Sequence, residues 1–132
     1  MGMQFTPYKI DVPDEVLADL RDRLRRTRWP DQIPGVGWDY GAELLAVQRL
    51  CEYWLDGYDW RAAETALNAW PQFTTSVDPD GGGDIHLHFV HARSPEPDAL
   101  PLIITHGWPG SIVEFQKAVS YTHLTLPTIL RV

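Results

Sequence analysis

Residues 101–118 read PLIITHGWPGSIVEFQKA, and the order of patterns in this stretch decides the fold. The apolar run at residues 99–105 has the length of a strand and no polar alternation, which predicts a strand buried on both faces of a sheet. The turn HGWPG follows at 106–110, and Ser111 with Glu114 three residues later forms the capping-box pattern that begins a helix. A strand, a glycine-rich turn and a helix in this order predict the beginning of an α/β sheet.

Residues 1–70, before this stretch, are predicted to be helical. A first helix, around residues 12–28, has an apolar stripe of three leucines and the i,i+4 ion pairs Asp19–Arg23 and Asp22–Arg26. A second runs from about residue 42 to residue 56 and stops at Gly57, and Asp59 caps a third over residues 60–70. Apolar residues recur on one side of each helix, namely Leu17, Leu20 and Leu24, then Leu44, Val47, Cys51, Trp54 and Leu55, then Trp60, Ala63, Leu67 and Trp70.

Residues 71–118 change to a period of two. The segments FTTSV and IHLHFVHA alternate between two faces on either side of the turn DPDGGGD, which predicts a β-hairpin ahead of the apolar strand. The fold class is therefore α/β, with a helical region at 1–70 followed by the first strands of a sheet.

The composition excludes several classes of protein. A chain of 132 residues has room for one domain, and its net charge of −7 argues against nucleic acid as a partner. No apolar run reaches the ~18–20 residues of a membrane span, so we expect no membrane partner and a cytoplasmic location. The single cysteine, Cys51, excludes an internal disulfide and is predicted to be buried.

Three histidines near the hairpin do not predict a metal site. On a strand His86 and His88 share a face while His91 points the other way, so the three cannot converge on an ion, even with Asp84 nearby. No metal and no cofactor is expected.

The sequence GWDYG at 37–41 formally fits the nucleophile-elbow pattern with Asp39 as the nucleophile. That elbow follows a buried strand, and Pro30 and Pro34 exclude a central strand here. Asp39 is predicted to be a turn or capping residue.

The turn HGWPG is the strongest candidate for a functional site. Backbone N–H groups of a turn that leaves a buried strand and enters a helix can stabilise an oxyanion, each contributing about 3–4 kcal/mol to a transition state. Part of the α/β-hydrolase oxyanion hole lies in such a loop. The alternative interpretation of the same pattern is an ordinary strand-to-helix turn.

Several separate motifs carry a resemblance to a known family. In chain order they are LRDRLRRTRWP, YWLDGYDWRAAETALNAWPQF, IHLHFVHARS and PLIITHGWPGSIVEFQ. They resemble the N-terminal region of epoxide hydrolases of the microsomal type over nearly all of residues 5–118. The resemblance implies an α/β-hydrolase fold in which residues 1–70 are the helical N-terminal region and residues 71–118 begin the catalytic domain.

The resemblance also implies a two-step conversion of an epoxide to a vicinal diol. An Asp nucleophile opens the epoxide to an ester while cap tyrosines protonate its oxygen, and a His oriented by an acid then activates water against the ester. The backbone N–H of Trp108 matches the family's oxyanion donor, supported by His106, Gly107 and Pro109, and the Trp108–Pro109 bond is expected to be cis. The implied partner of the full-length protein is a small-molecule epoxide, and a homo-oligomer is left open.

Most of the implied catalytic groups have no counterpart in this chain. No second stretch fits G-x-[DSC]-x-G, and the tyrosines ahead of the predicted sheet do not match cap positions: Tyr8, Tyr40, Tyr53 and Tyr58. We therefore expect an N-terminal fragment that is inactive alone. Two other hypotheses stay open: a non-catalytic packing or dimerisation module, and an α/β-hydrolase of other specificity, such as an esterase or haloalkane dehalogenase. A downstream G-x-D-x-G, and the identity of its nucleophile, would separate them.

Residues 119–132 break the helical pattern that begins at Ser111. The segment VSYTHLTLPT carries no charged residue and resembles a translation of sequencing-adapter DNA. We therefore expect residues 119–132 to be an artefactual tail and His123 not to be a catalytic base.

Overall fold

The computed structural model describes residues 4–78, 81–95, 97–117 and 129–131. The chain forms two compact units, Asp11–Ala62 and the combination of Met1–Ile10 with Ala63–Val132. The predicted division at residues 70 and 118 stays a prediction. Most of the predicted tail, including His123, lies outside the described residues.

Helix α1, Asp14–Arg25, has the predicted charge distribution, with acids in its first turn and arginines in its last. Both expected ion pairs form: Arg23 Nε lies 2.6 Å from Asp19 Oδ2, and Arg26 pairs with Asp22. These side chains are more than half exposed, so each pair contributes little to stability. Burial of Leu17 is what holds this helix in its unit.

Helix α2, Leu44–Glu52, is shorter than predicted because its last turn widens into a π-helical segment, Tyr53–Gly57. The N–H of Tyr58 donates to the carbonyl oxygen of Tyr53 at 2.8 Å and closes that turn. Cys51 is half-buried, so the prediction that it is buried is wrong. Among the described residues of this unit Leu17 is the one buried apolar side chain, and α2 has no deep core to face.

Helix α3, Trp60–Asn68, begins where predicted, with Asp59 Oδ1 accepting the N–H of Ala62 at 3.0 Å. At its other end the side-chain amide of Asn68 accepts the N–H of Ile10 and donates to its carbonyl oxygen, both at 2.8 Å. This pair of bonds joins the end of the helix to the chain segment that follows the first strand of the sheet.

The sheet has the strand order β1-β2-β3-β5-β4 over the described residues. Its strands are β1 Thr6–Tyr8, β2 Gln72–Val77, β3 Ile85–Ala92, β4 Leu102–Ile104 and β5 Ile129–Arg131. The predicted hairpin is confirmed, since β2 pairs antiparallel with β3 from Gln72↔Val90 to Val77↔Ile85. Strand β5 pairs antiparallel with β3 and parallel with β4.

Strand β1 departs from the prediction that residues 1–70 are helical. It pairs antiparallel with β2, and Tyr8, predicted to lie before the sheet, is therefore inside it. Three residues are too few to show a period of two, and the partner strand lies more than sixty positions away in sequence. No local pattern marks such a strand.

The two faces of the hairpin differ in chemistry. Phe5 and Phe73 pack on Phe89 with ring centroids 5.4 and 5.7 Å away, and Phe89 is buried. Tyr8 and His88 make an edge-to-face contact on the opposite face, with ring centroids 4.9 Å apart. The buried core of this unit also includes the apolar side chains Val90 and Ile112.

The prediction that strand β4 is buried on both faces is wrong. Leu102 is 40% exposed and Ile103 is 61% exposed. A strand becomes buried on both faces only when helices cover both faces of its sheet. The described residues that follow β4 form a 3-10 helix at Ile112–Phe115 and two further helical residues, in place of the expected α-helix. No helix in the described part of the chain is long and apolar enough to cross a membrane.

Candidate functional site: the turn after strand β4

The chain reverses direction in a tight turn from Gly107 to Gly110. The N–H of Gly110 donates to the carbonyl oxygen of Gly107 at 2.7 Å, and the Trp108–Pro109 bond is cis, as expected. A cis proline at the third position of a four-residue turn defines a type VI turn. The motif therefore produces a defined backbone geometry between β4 and the 3-10 helix.

Trp108 stands at the outside of this turn with a side chain that is 96% exposed. Its backbone N–H makes no hydrogen bond to any residue that the structure describes. A main-chain donor that is open to solvent and carries no internal partner is free to bind an anionic oxygen. The oxyanion role predicted for Trp108 stays a prediction.

The neighbouring residues of the motif contribute backbone geometry more than side-chain chemistry. His106 is exposed, and its Nδ1 lies 3.4 Å from the carbonyl oxygen of Gly107, at the outer limit of a hydrogen bond. Gly107 and Pro109 are exposed as well. The supporting role predicted for these three residues stays a prediction.

The capping box at Ser111 forms in part. Ser111 Oγ accepts the N–H of Val113 at 3.3 Å, as an N-cap should. The reciprocal bond, in which the Ser111 N–H would donate to the Glu114 carboxylate, is not among the hydrogen bonds of the described residues. The Glu114 side chain instead folds back over Gly110: a β-carbon added there would lie 2.6 Å from Glu114 Cδ and 2.9 Å from Oε2.

This contact between Glu114 and Gly110 was not predicted from the sequence. Helical spacing gives no signal for it, because Gly110 precedes the N-cap Ser111 and lies outside the helix. The capping-box pattern instead predicted that Glu114 accepts a hydrogen bond from the Ser111 N–H.

The other residues that the sequence analysis considered, Asp39 and the three histidines of the hairpin, make contacts within the fold. Asp39 lies in a turn, with its N–H donating to the carbonyl oxygen of Val36 at 3.0 Å, and residues 26–38, which lead into it, form no strand. His86 bonds Ser76 at 2.7 Å and His88 bonds Gln72 at 2.9 Å on one face of the hairpin, while the ring of His91 packs on Phe73. No group of three His, Cys, Asp or Glu residues in the described ranges could hold a metal ion.

Comparison with known proteins identifies relatives of this chain. The sequence model of a family described as "Epoxide hydrolase N terminus" matches residues 5–115. The chain is 47% identical over 123 residues to a "Putative epoxide hydrolase" of Stigmatella aurantiaca, covering 93% of this chain and 26% of that protein. It is 30% identical over 117 residues to epoxide hydrolase 1 of Sus scrofa, covering 86% of this chain and 25% of that protein.

Two solved structures resemble the fold. Aspergillus niger epoxide hydrolase superposes with a TM-score of 0.76 at 33% identity, covering 97% of this chain and 34% of that one. Juvenile hormone epoxide hydrolase from the silkworm Bombyx mori has a TM-score of 0.84 at 24% identity over 98% of this chain and 36% of that one, a likeness of fold alone. The predicted fold class is thereby confirmed. The chain spans about a quarter of the length of the curated relatives named above.

Proposed function

We propose, from the premise that this chain belongs to the family of epoxide hydrolase N-terminal regions, that it is the N-terminal part of an enzyme that adds water to epoxides. The product is a vicinal diol, formed through an ester between the substrate and an Asp of the enzyme. The observation that carries the proposal is the Gly107–Gly110 turn inside the matched region, with a backbone donor open to solvent.

Trp108 has the role of an oxyanion donor in this proposal. Hydrolysis of the ester passes through a tetrahedral intermediate with a negatively charged oxygen, and a preorganised N–H lowers the free energy of that charge. The exposed position of Trp108 supports this role, as does the lack of a partner for its N–H among the residues that the structure describes. His106, Gly107 and Pro109 shape the turn that presents it.

The nucleophile, its base and the proton-donating tyrosines belong to sequence beyond residues 1–117 in this proposal. The 132-residue chain then holds one backbone donor of the catalytic machinery. Without a nucleophile and base, little rate enhancement remains beyond what binding supplies. We therefore propose that this chain alone is inactive.

The first test compares the 132-residue chain with the longer protein encoded at the same locus. We expect diol formation from styrene oxide by the longer protein and none above buffer by the 132-residue chain, measured by chromatography. An inactive longer protein would contradict the proposed function. Turnover by the short chain that disappears in an Asp39→Asn variant would show that GWDYG supplies a nucleophile, contrary to its place in a turn.

A second test removes the proposed donor atom. Trp108→Pro in the longer protein deletes the N–H, because proline has none, whereas Trp108→Ala deletes only the side chain. Losing one oxyanion donor slows the step that it serves by ~100–1,000-fold. We expect Trp108→Pro to accumulate the covalent ester, seen as a mass increase equal to the substrate, and Trp108→Ala to hydrolyse it at a rate closer to that of the wild type. Equal slowing in both variants would assign the effect to the side chain.

A further inference from the structure

Gly110 is a glycine for a reason other than backbone conformation. Its φ lies outside the left-handed region, unlike those of Gly81 and Gly83 in the hairpin turn. An L-residue could therefore adopt this backbone. A side chain here would meet the flexible end of Glu114, whose Cδ and Oε2 would lie 2.6 and 2.9 Å from a β-carbon at position 110, so the carboxylate would have to move.

The Glu114 carboxylate makes this contact without a hydrogen bond or ion pair to any described residue. It occupies the space that a β-carbon of Gly110 would fill. A glutamate this exposed would ordinarily extend into solvent. Its position over the turn therefore links the turn to the helix that carries it.

The helix is itself fixed to the core. Ile112 is buried and Ser111 caps the helix, so the backbone of Glu114 is held from two sides. Glu114 contacts Gly110, and Gly110 donates to Gly107 across Trp108. An unbroken series of contacts thus runs from the core to the proposed oxyanion donor.

We propose that Glu114 is a positioning residue whose side chain occupies the side-chain place of Gly110 and so fixes the direction of the Trp108 N–H. The inference rests on the proposed function, since the donor matters only if an oxyanion forms. Glu114 acts through the turn and does not contact the substrate. Its effect falls on ester hydrolysis and spares the alkylation step, in which no oxyanion forms at this position.

The test is a double-mutant cycle at positions 110 and 114 in the longer protein. Glu114→Ala removes the contact, and Gly110→Ala displaces the carboxylate, so each should slow ester hydrolysis by ~10–100-fold, less than deletion of the donor. In the double variant the new methyl group fills the space that the carboxylate leaves. We expect its rate to be no lower than that of either single variant, a strong non-additivity typical of residues in contact.

The readouts separate positioning from a general loss of stability. Single-turnover mass spectrometry should show unchanged alkylation with an accumulating ester in the single variants. Glu114→Gln, which keeps the shape, should restore at least half of the wild-type rate. Gly82→Ala serves as the control, because a β-carbon there meets nothing within 4 Å.

Each outcome has one consequence. Additive losses, or full activity in Glu114→Ala, would overturn the positioning role while the proposed function stood. Slowing of both steps together would assign Glu114 a structural role only and overturn the proposal as well. An inactive wild-type protein would overturn the proposed function, and non-additive melting temperatures at positions 110 and 114 would then still establish the contact.

Discussion

The ring of His88 lies on the face of the hairpin opposite Phe89, between Tyr8 and Gln72. Gln72 is buried and uses its side-chain N–H to donate to the carbonyl oxygen of Leu67 at 2.7 Å. Its Oε1 therefore faces His88, and His88 Nε2 donates to it at 2.9 Å. Desolvation by burial lowers the pKa of His88 below the ordinary value for histidine.

This lowered pKa predicts a loss of stability in mild acid. The folded state binds the proton less tightly than the unfolded state, so the contribution of His88 is fully present above about pH 6.5 and is lost as the pH falls through the folded pKa. Urea unfolding at pH 7.5 and 5.0 should show a smaller decrease in a His88→Gln variant than in the wild type. An equal decrease in both would contradict the prediction, and His86→Gln is the matched control.

Among the elements, the π-helical turn Tyr53–Gly57 depends on the absence of a side chain at its last residue. A β-carbon on Gly57 would lie 2.7 and 3.0 Å from two ring carbons of Tyr53. The ring must move if Gly57 is replaced. Because Tyr53 is 58% exposed, the ring can rotate toward solvent, and the cost is at the low end for overpacking.

We expect Gly57→Ala to lower the free energy of unfolding by about 1 kcal/mol. The same substitution in a Tyr53→Ala background should cost much less, since no ring remains to be displaced. Urea unfolding with Gly82→Ala as the control measures both values. A Gly57→Ala protein as stable as the wild type would show that the ring contact does not constrain this turn.

At the scale of the whole molecule, apolar side chains are unusually exposed. Leu100, Ile103 and Trp108 are 74%, 61% and 96% exposed around β4 and the following turn. In the helical unit Ile33, Trp38 and Leu50 are 62%, 63% and 65% exposed. Contiguous exposed apolar surface on a soluble protein marks an interaction site or a tendency to associate.

The 132-residue chain should therefore bind the dye ANS and associate as its concentration rises. A Leu100→Ser/Ile103→Ser variant should reduce both, because it removes apolar surface next to the open edge of β4. Lys117→Ser, on an exposed polar position, is the control for light scattering and dye fluorescence. A chain that binds no dye and stays monomeric as its concentration rises would contradict this expectation and would favour a self-contained packing module.

Local patterns in the sequence determined the elements that local interactions build. The charges and leucines of α1, the Asp59 cap of α3 and the alternation of the hairpin all act between residues a few positions apart. The HGWPG motif likewise determined its own turn, because a short segment with proline and glycines has few conformations open to it. These features could be predicted without knowing what packs on them.

Tertiary structure alone decided the rest. The pairing of β1 with β2, the contact of His88 with Gln72 and the exposure of β4 depend on residues distant in sequence or on the presence of a covering layer. Glu114 had two local partners within reach, and its place over Gly110 is a feature that the local pattern did not predict. A pattern along the chain shows which side chains are suited to burial or to hydrogen bonding. The arrangement of the other elements determines which of those side chains are in fact buried or hydrogen-bonded.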